Sequence, residues 1–316
     1  MKSRIAYILL TMDCESAKLD VSDRAIGMSS SGPVDYAESE RSIRGLAESA
    51  KISGYPVTLF VHPEVAVAQS SLLLELQDDG ACLGLHLHPY KLSDSKYHLD
   101  LGAYPLEEQK CIFKDAVAIW EEALGQSPQY FRGGYFSAND STFGILDELG
   151  FLGGSLSNPG RVLPTHCSVW KGAEPYPHRA RTGFRLISGE SEMIEIPVSV
   201  AFGRPVARGH AGEQGFEWPY IPHAYDHEAI IVDILNRFKH DSPRFGTIVT
   251  DTHNDQDYTD PNCPAQLNLG RIMKTIHRSS EEKKMEVRGI TIDTLCDLVR
   301  KDSVTGNRGQ EAVSRT

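Results

Sequence analysis

Short apolar runs alternate along most of the chain with segments whose apolar residues recur at helical spacing. An apolar run of about four to eight residues bounded by polar residues is typical of a buried strand, whereas apolar positions three and four apart indicate a helix. On this basis we predict strands at 5–11, 57–61, 82–87, 130–132, 151–155, 193–199, 246–251 and 287–292. Helices are predicted between them at 38–53, 63–79, 106–124, 141–149, 226–240, 264–278 and 293–300.

The repeated strand–helix order predicts a parallel sheet with helices packed outside it. Seven or eight such units favour a barrel over an open sheet. We expect one domain over residues 1–302, with long loops at 158–189 and 204–225 and a polar, disordered tail at 303–316. Because functional groups of such barrels gather at the carboxyl ends of the strands, the residues that follow each predicted strand are the candidates for a site.

Charge and hydropathy narrow the classes of partner. The chain has 316 residues, and 32 basic against 43 acidic residues give a net charge of −11. Nucleic acids and anionic membrane surfaces require a basic face, so we expect neither as a partner, whereas a sugar substrate is compatible with this charge. No apolar stretch approaches the ~20 residues of a membrane span, and we expect no membrane insertion. The oligomeric state is left open.

The N-terminal segment and the cysteines predict a cytoplasmic protein. The apolar run at 5–10 is shorter than the apolar region of a signal peptide and lacks a small-residue cleavage site, so we interpret it as a buried strand. The six cysteines form no Cys-x-x-Cys pair, which disfavours a structural zinc site. Scattered cysteines of this kind are usually reduced in the cytoplasm.

Two pairs of candidate metal ligands follow predicted strands. Asp13 and Glu15 follow the first strand, and His86 and His88 follow the third. Residues two apart on an extended chain point to the same side, so each pair would enter one pocket. Carboxylate and imidazole are the ligands of a catalytic Zn²⁺ or a similar divalent ion such as Fe, Co, Mn or Ni. One carboxylate would bind the metal while the other takes a proton from water; a solvated loop and a structural histidine pair are the alternatives.

An arginine and two glycines follow the fourth predicted strand. Arg132 can grip a carboxylate such as Asp13 with two hydrogen bonds and hold its orientation. The adjacent Gly133 and Gly134 allow the backbone to approach a ligand closely. The amide of Tyr135 would then face a developing oxyanion. A structural salt bridge beneath a loop is the alternative for this segment.

A late histidine and several aromatic residues complete the candidates. His253 follows a predicted strand and is a candidate general acid, because imidazole titrates near neutral pH. Asp251 would orient His253 or contact the substrate. The two long loops carry Trp170, Tyr176 and Trp218, which we expect to form walls for a sugar because aromatic faces stack on sugar rings. The alternative is that these aromatic residues only pin the loops to the barrel.

Three segments of the sequence resemble a known family of enzymes. Thr11-Met12-Asp13-Cys14-Glu15, Leu85-His86-Leu87-His88-Pro89 and Phe131-Arg132-Gly133-Gly134-Tyr135 look like the first three motifs of the polysaccharide deacetylases, the NodB-homology group of carbohydrate esterase family four. The resemblance runs in order from about 5 to 255. It implies an irregular (β/α)7 barrel that removes N- or O-acyl groups from sugars with a divalent metal, commonly zinc.

The sequence departs from the family pattern at two points. Cys14 stands where the first motif has its second Asp, and the histidines of the second motif are two residues apart rather than four. Relatives with an acid-x-acid arrangement imply that Asp13 is the base and Glu15 the metal ligand, with the reverse left open. In the family pattern Arg132 matches the arginine that steadies the base, and His253 loosely matches the late histidine.

The hypothesis that follows is a metal-dependent deacylase. It would remove an acetyl or formyl group from the nitrogen of a sugar, an intracellular intermediate of surface-polysaccharide or related glycan biosynthesis, such as lipopolysaccharide. An amidase for a ureide or a cyclic imide on the same scaffold is the first alternative. The second is a barrel that binds glycans without catalysis.

Overall fold

The computed structural model describes residues 4–17, 32–93, 95–207 and 212–313, with side chains described as far as residue 302. The strands are β1 Arg4–Cys14, β2 Val57–Val61, β3 Cys82–Leu87, β4 Tyr130–Gly133, β5 Gly153–Gly154, β6 Val162–Leu163, β7 Ser168–Val169, β8 His178–Arg179, β9 Ile194–Glu195, β10 Gly246–Val249 and β11 Met285–Gly289. The helices are α1 Tyr36–Ile52, α2 Pro63–Ala68, α3 Ser70–Asp78, α4 Pro89–Leu92, α5 Leu106–Leu124, α6 Thr142–Glu148, α7 His227–Asp241, α8 Pro264–Glu282 and α9 Ile292–Val313. Three 3₁₀ turns lie at Leu101–Ala103, Gly134–Phe136 and Pro164–His166.

Seven parallel strands run through the main sheet in the order β10, β1, β2, β3, β4, β5, β9. β8 joins the edge antiparallel to β9, and β11 pairs with the first half of β1. The long β1 therefore has partners along its whole length: β10 and β11 flank its first half, and β2 flanks its second half. The predicted α/β class and the irregular barrel of parallel strands are confirmed.

The two ends of this curled sheet meet through a side chain rather than through a strand ladder. The chain after β9 lies beside the β5 side of the barrel, where the amide of Val198 donates to the carbonyl of Ser157 at 3.0 Å. The Ser199 hydroxyl then donates to the carbonyl of Thr247 in β10 at 2.7 Å and accepts from the amide of Val249 at 2.9 Å. One serine thus links the segment after β9 to β10, which is why the barrel is irregular.

The apolar runs of the sequence form the core. β2 and β3 are buried at every position, as expected for parallel strands that are covered on both faces. α5 buries Ile112 and Phe113, and the Phe113 ring meets the Phe131 ring of β4 at 5.0 Å. The helix ends at Gly125, whose φ of +69° is the left-handed conformation of a helix C-terminus. α1 begins after Asp35, whose carboxylate accepts from the amide of Glu38 at 2.8 Å.

The helix predicted over 63–79 is broken in the structure. Gln69 has φ −129° and ψ 27°, which ends α2 and precedes α3. Its side chain binds α1 instead of facing solvent: the amide donates to the carbonyl of Tyr36 at 3.1 Å, and the carbonyl oxygen accepts from the Ser39 hydroxyl at 2.6 Å. These tertiary hydrogen bonds favour the break, and apolar spacing alone cannot reveal them.

The strands predicted at 151–155 and 193–199 are shorter than expected. Only two residues of each remain in the ladder, as β5 and β9. Beyond them the carboxylate of Glu195 takes over the role of a strand partner, because it accepts from the amides of Leu156 and Ser157 and from the Ser157 hydroxyl. Burial opposes the charge on this side chain and raises the pKa of Glu195 to about 7.

The long loop and the C-terminal tail of the sequence both contain regular structure. The loop at 158–189 contains the hairpin β6–β7, and the backbone of α9 runs to Val313, into the segment 303–316 for which the sequence predicts disorder. Side chains from 303 onward lie outside the described residues, and the disorder stays a prediction, as does the single domain over 1–302. Among the described helices none combines the length and the apolar character that crossing a membrane requires.

Candidate metal centre

Most of the predicted site residues lie together at the carboxyl end of the parallel strands. Asp13 is near the end of β1, where its amide donates to the carbonyl of Thr252 at 2.8 Å. This contact places the segment after β10, including His253, directly beside Asp13. On the other side His86 of β3 is in register with Arg132 of β4. Parallel pairing therefore brings together the ends of strands that are distant in sequence.

The carboxylate of Glu15 faces three imidazole rings. Its Oε1 lies 3.3 Å from Nε2 of His88, 3.2 Å from Nε2 of His253 and 3.9 Å from Nε2 of His86. Glu15, His86 and His88 are all buried, and each offers one ligand atom within 4.8 Å of the other two. The sequence left open whether Asp13 or Glu15 is the metal ligand. Glu15 belongs to this cluster, and Oδ2 of Asp13 also lies 3.7 Å from Nδ1 of His86.

His86 and His88 have different surroundings. His86 is 1% exposed, and neither ring nitrogen has a hydrogen-bond partner among the described residues. Burial, with the nearby His88, holds the pKa of His86 well below its usual range, so the ring is neutral and keeps a lone pair. His88 has its Nδ1 2.9 Å from the Tyr90 hydroxyl, which fixes the ring with Nε2 toward Glu15. Metal-binding histidines are commonly oriented in this way.

Two neighbours of Glu15 are not suggested by any motif. The Asn254 side chain accepts from the Glu15 amide at 2.9 Å and donates to the Glu15 carbonyl at 3.0 Å. Its amide nitrogen also donates to the Ser39 hydroxyl at 2.8 Å. The buried ammonium of Lys91 donates to Oε2 of Glu15. Burial disfavours the charge on Glu15, but Lys91 and His88 outweigh this effect and hold the pKa of Glu15 well below its usual range.

Asp13 shares a guanidinium with a second carboxylate. Arg132 is fully buried, and its Nη1 donates to Asp13 at 2.9 Å, to Asp251 at 3.1 Å and to the Thr11 hydroxyl at 2.8 Å. The predicted contact between Arg132 and Asp13 is therefore present. Asp251, which the sequence suggested as a partner of His253 or of the substrate, contacts Arg132. Burial raises the pKa of Asp251 to about 7, with the neighbouring charge of Asp13 adding to the rise.

His253 is held between Glu15 and an aromatic residue. Its Nε2 faces Glu15, and its Nδ1 lies 3.0 Å from the hydroxyl of Tyr220. Tyr220, from the loop at 204–225, is therefore the residue that orients the His253 ring, a role that the sequence suggested for Asp251. Burial opposes a positive charge on the ring, but the hydrogen bond and the charge of Glu15 outweigh it and raise the pKa of His253 to about 10.

The turn after β4 is strained and packs closely against the histidines. Tyr135 and Phe136 have φ values of +55° and +56°, a conformation that side chains with a Cβ rarely adopt. The Tyr135 ring meets the His88 ring edge-on at 5.5 Å and stacks on His166 at 3.9 Å. Strained backbone of this kind is concentrated at functional sites. The predicted role of the Tyr135 amide stays a prediction.

Gly134 leaves the space that the His88 ring occupies, and we expect Gly134→Ala to weaken metal binding. A Cβ at this position would overlap three atoms of the His88 ring, so the ring would have to move. The loss in metal affinity should be about 10–100-fold, measured by competition with a chelator. Gly270→Ala, on α8 where a Cβ meets no atom within 4 Å, is the matched control. Equal affinities of the two variants would contradict the expectation.

The three aromatic residues that were predicted to form walls for a sugar lie in different parts of the structure. Trp170 is fully buried, and its indole N–H donates to the carbonyl of Phe136 at 2.8 Å. Tyr176 donates its hydroxyl to a carboxylate on α7 at 2.7 Å. Both therefore fit the alternative in which aromatic residues pin the loops. Trp218 lies beside Tyr220, with ring centroids 5.6 Å apart, and so adjoins the site through His253.

Comparisons with known proteins identify the fold. No protein-family model and no curated protein matches the sequence. Among solved structures, a candidate polysaccharide deacetylase from Mycobacterium smegmatis is similar with a TM-score of 0.59 at 16% identity, over 96% of this chain and 92% of that one. A candidate glycoside hydrolase/deacetylase from Parabacteroides distasonis gives a TM-score of 0.65 at 13% identity, over 95% of this chain and 72% of that one. The PuuE allantoinase gives 0.57 at 12% identity, over 94% and 90%. The chain therefore has the fold shared by these hydrolases.

Proposed function

We propose that this protein is a divergent polysaccharide deacetylase of the NodB-homology kind, a metal-dependent hydrolase that removes an N-acyl group from a sugar. The observation that carries the proposal is the buried cluster of Glu15, His86 and His88 immediately beside the ion pair of Asp13 and Arg132. Metal-assisted hydrolysis of an amide requires metal donors and, beside them, a separate carboxylate that can accept a proton from water. Asp13 is that carboxylate here.

The residues of the cluster fit a divalent metal. Two imidazoles and one carboxylate of low pKa are typical donors for Zn²⁺, and Fe, Co, Mn or Ni would also be accepted by this set. The ring nitrogens of buried His86 have no hydrogen-bond partner among the described residues, which supports this assignment because a buried polar atom normally has one. When bound, the metal would polarise the acyl carbonyl and acidify a water molecule. We assign the ligand role to Glu15, His86 and His88.

The other residues would handle the protons. Asp13 takes the proton of the attacking water, and Arg132 holds its carboxylate in place at 2.9 Å. His253 gives a proton to the departing nitrogen, a role supported by its raised pKa and by its position beside Glu15. The amide of Tyr135 would bind the developing oxyanion.

We propose an N-acetylated or N-formylated sugar as the substrate. Tyr220, which contacts His253, and the adjoining Trp218 would form the wall against which the sugar ring lies. All six cysteines are free thiols, which supports a reducing compartment such as the cytoplasm. A sugar intermediate of glycan biosynthesis inside the cell, as in lipopolysaccharide pathways, would be present in such a compartment.

A second candidate is hydrolysis of a non-sugar amide. The structural likeness to an allantoinase favours it, because the same arrangement of strands serves a ureide hydrolase there. The proton-handling residues would keep the same roles, and only the walls of the pocket would differ. The substrate panel below separates the two candidates.

The test combines elemental analysis with assays of amine and acid release. We expect the purified protein to contain a divalent metal and to release acetate or formate from N-acetyl or N-formyl sugar nucleotides. Hydrolysis of allantoin or of a cyclic imide, with no reaction on acylated hexosamines, would replace the first candidate with the second. A protein that neither contains nor takes up metal would contradict the proposed function.

A further inference from the structure

A lysine lies inside the candidate metal centre. Lys91 has a fully buried side chain. It sits in the short helix α4, which begins directly after His88, and the Lys91 amide donates to the carbonyl of His88 at 2.9 Å. A buried ammonium beside a group of metal donors requires an explanation, because burial of a charge is costly unless the charge is paired.

The two oxygens of Glu15 have separate neighbours. Oε1 faces the imidazoles, with His88 at 3.3 Å and His253 at 3.2 Å. Oε2 accepts from the ammonium of Lys91. The Asn254 side chain meanwhile holds the Glu15 backbone through two hydrogen bonds, which fixes the point from which the side chain extends. One oxygen is therefore directed at the imidazoles while the other is occupied by a cation.

We propose that Lys91 is a positioning residue that keeps Glu15 a ligand through one oxygen only; this rests on the proposed metal-dependent function. A carboxylate can bind a metal through one oxygen or through both. Catalytic zinc sites keep three protein donors and an open position for water or substrate. Binding of both Glu15 oxygens would use up that position. Lys91 prevents this by holding Oε2, and its positive charge also weakens the attraction of the site for the ion.

The test replaces Lys91 with methionine and follows the metal directly. Lys91→Met should bind Zn²⁺ more tightly in chelator competition, because repulsion is removed and Oε2 is released. With Co²⁺ as the probe, the visible bands should lose intensity as a second oxygen joins the coordination shell. The value of kcat should fall about 10–100-fold while KM changes little. Lys96→Met, which removes an exposed lysine paired with Asp115, is the matched control.

The change in Tm on addition of Zn²⁺ tests the role of Lys91 even if the variant is less stable than the wild type. Without metal, Lys91→Met removes one cation beside the buried Glu15 charge, so Zn²⁺ should raise the Tm of this variant more than that of the wild type. Lys91→Arg keeps the charge and should retain the wild-type Co²⁺ spectrum. An unchanged spectrum or weaker Zn²⁺ binding in Lys91→Met would overturn the proposal.

The outcomes also separate this inference from the proposed function. If the wild type and Lys96→Met bind metal but hydrolyse no acylated sugar, the proposed substrate is wrong, while affinity and spectrum still decide the role of Lys91. If the wild type binds no metal, both the proposed function and the inference are wrong.

Discussion

Replacing His86 or His88 with alanine should abolish bound metal and reduce hydrolysis to background. Each ring offers one of three ligand atoms that lie within 4.8 Å of one another, and a centre with two protein donors would hold a divalent ion too weakly to survive purification. Elemental analysis of the purified variants measures the metal directly, and release of acetate or formate measures the activity. The two losses should occur together in both variants.

An exposed histidine provides the control for these substitutions. His240 on α7 has a side chain that is 87% exposed, and His240→Ala should keep both metal and activity. Thermal unfolding of each variant shows whether the protein remains folded, because His86 is buried and its removal leaves a cavity. Full metal occupancy in both His86→Ala and His88→Ala would mean that the ligands are elsewhere.

Asp13→Asn should remove the base and leave the metal. The asparagine keeps the shape of the side chain but accepts no proton at neutral pH, so kcat should fall by about 10²–10⁴-fold. Metal content should stay at the wild-type level, because Asp13 binds Arg132 and only its second oxygen approaches His86, at 3.7 Å. Steady-state kinetics and elemental analysis on one preparation measure both quantities.

Glu15→Gln is the matched comparison, since it makes the same chemical change two residues away. It should lose the metal, because Glu15 is the carboxylate that faces His88 and His253. The opposite pattern, in which Asp13→Asn loses metal and Glu15→Gln retains it, would show that the two roles are reversed. Asp251→Asn should retain metal and lose less activity, because Asp251 reaches the base only through Arg132.

The convergence of the site can be predicted from the sequence because of a general property of parallel sheets. Asp13, His86, Arg132 and His253 each lie at or just beyond the carboxyl end of a strand, and the sheet places these ends side by side. The apolar runs identify the strands, so the positions that follow them identify the site. Their order along the chain also predicts the fold that the comparisons with solved structures identify.

The supporting residues cannot be predicted in this way. Lys91 and Asn254 follow no motif, and their contacts with Glu15 depend on how two loops pack after the strands have paired. The position of Trp170 also could not be predicted. Its ring is buried, and its indole N–H donates to a carbonyl of the turn after β4. Sequence patterns describe which residues enter the core, but they do not say which loop partner a polar atom will find.

The centre joins segments that lie far apart in the sequence, and this has a consequence for biosynthesis. Glu15 belongs to the segment after the first strand, whereas Asn254, which binds its backbone, comes 239 positions later. A ribosome that adds about 5–20 residues per second needs about 10–50 s to cover that interval. During this time β1 has no β10 beside it, and Glu15 has neither Asn254 nor His253. The three proposed ligands are all synthesised by residue 88, but the contacts that hold the Glu15 backbone can form only after the segment beyond β10 has been added.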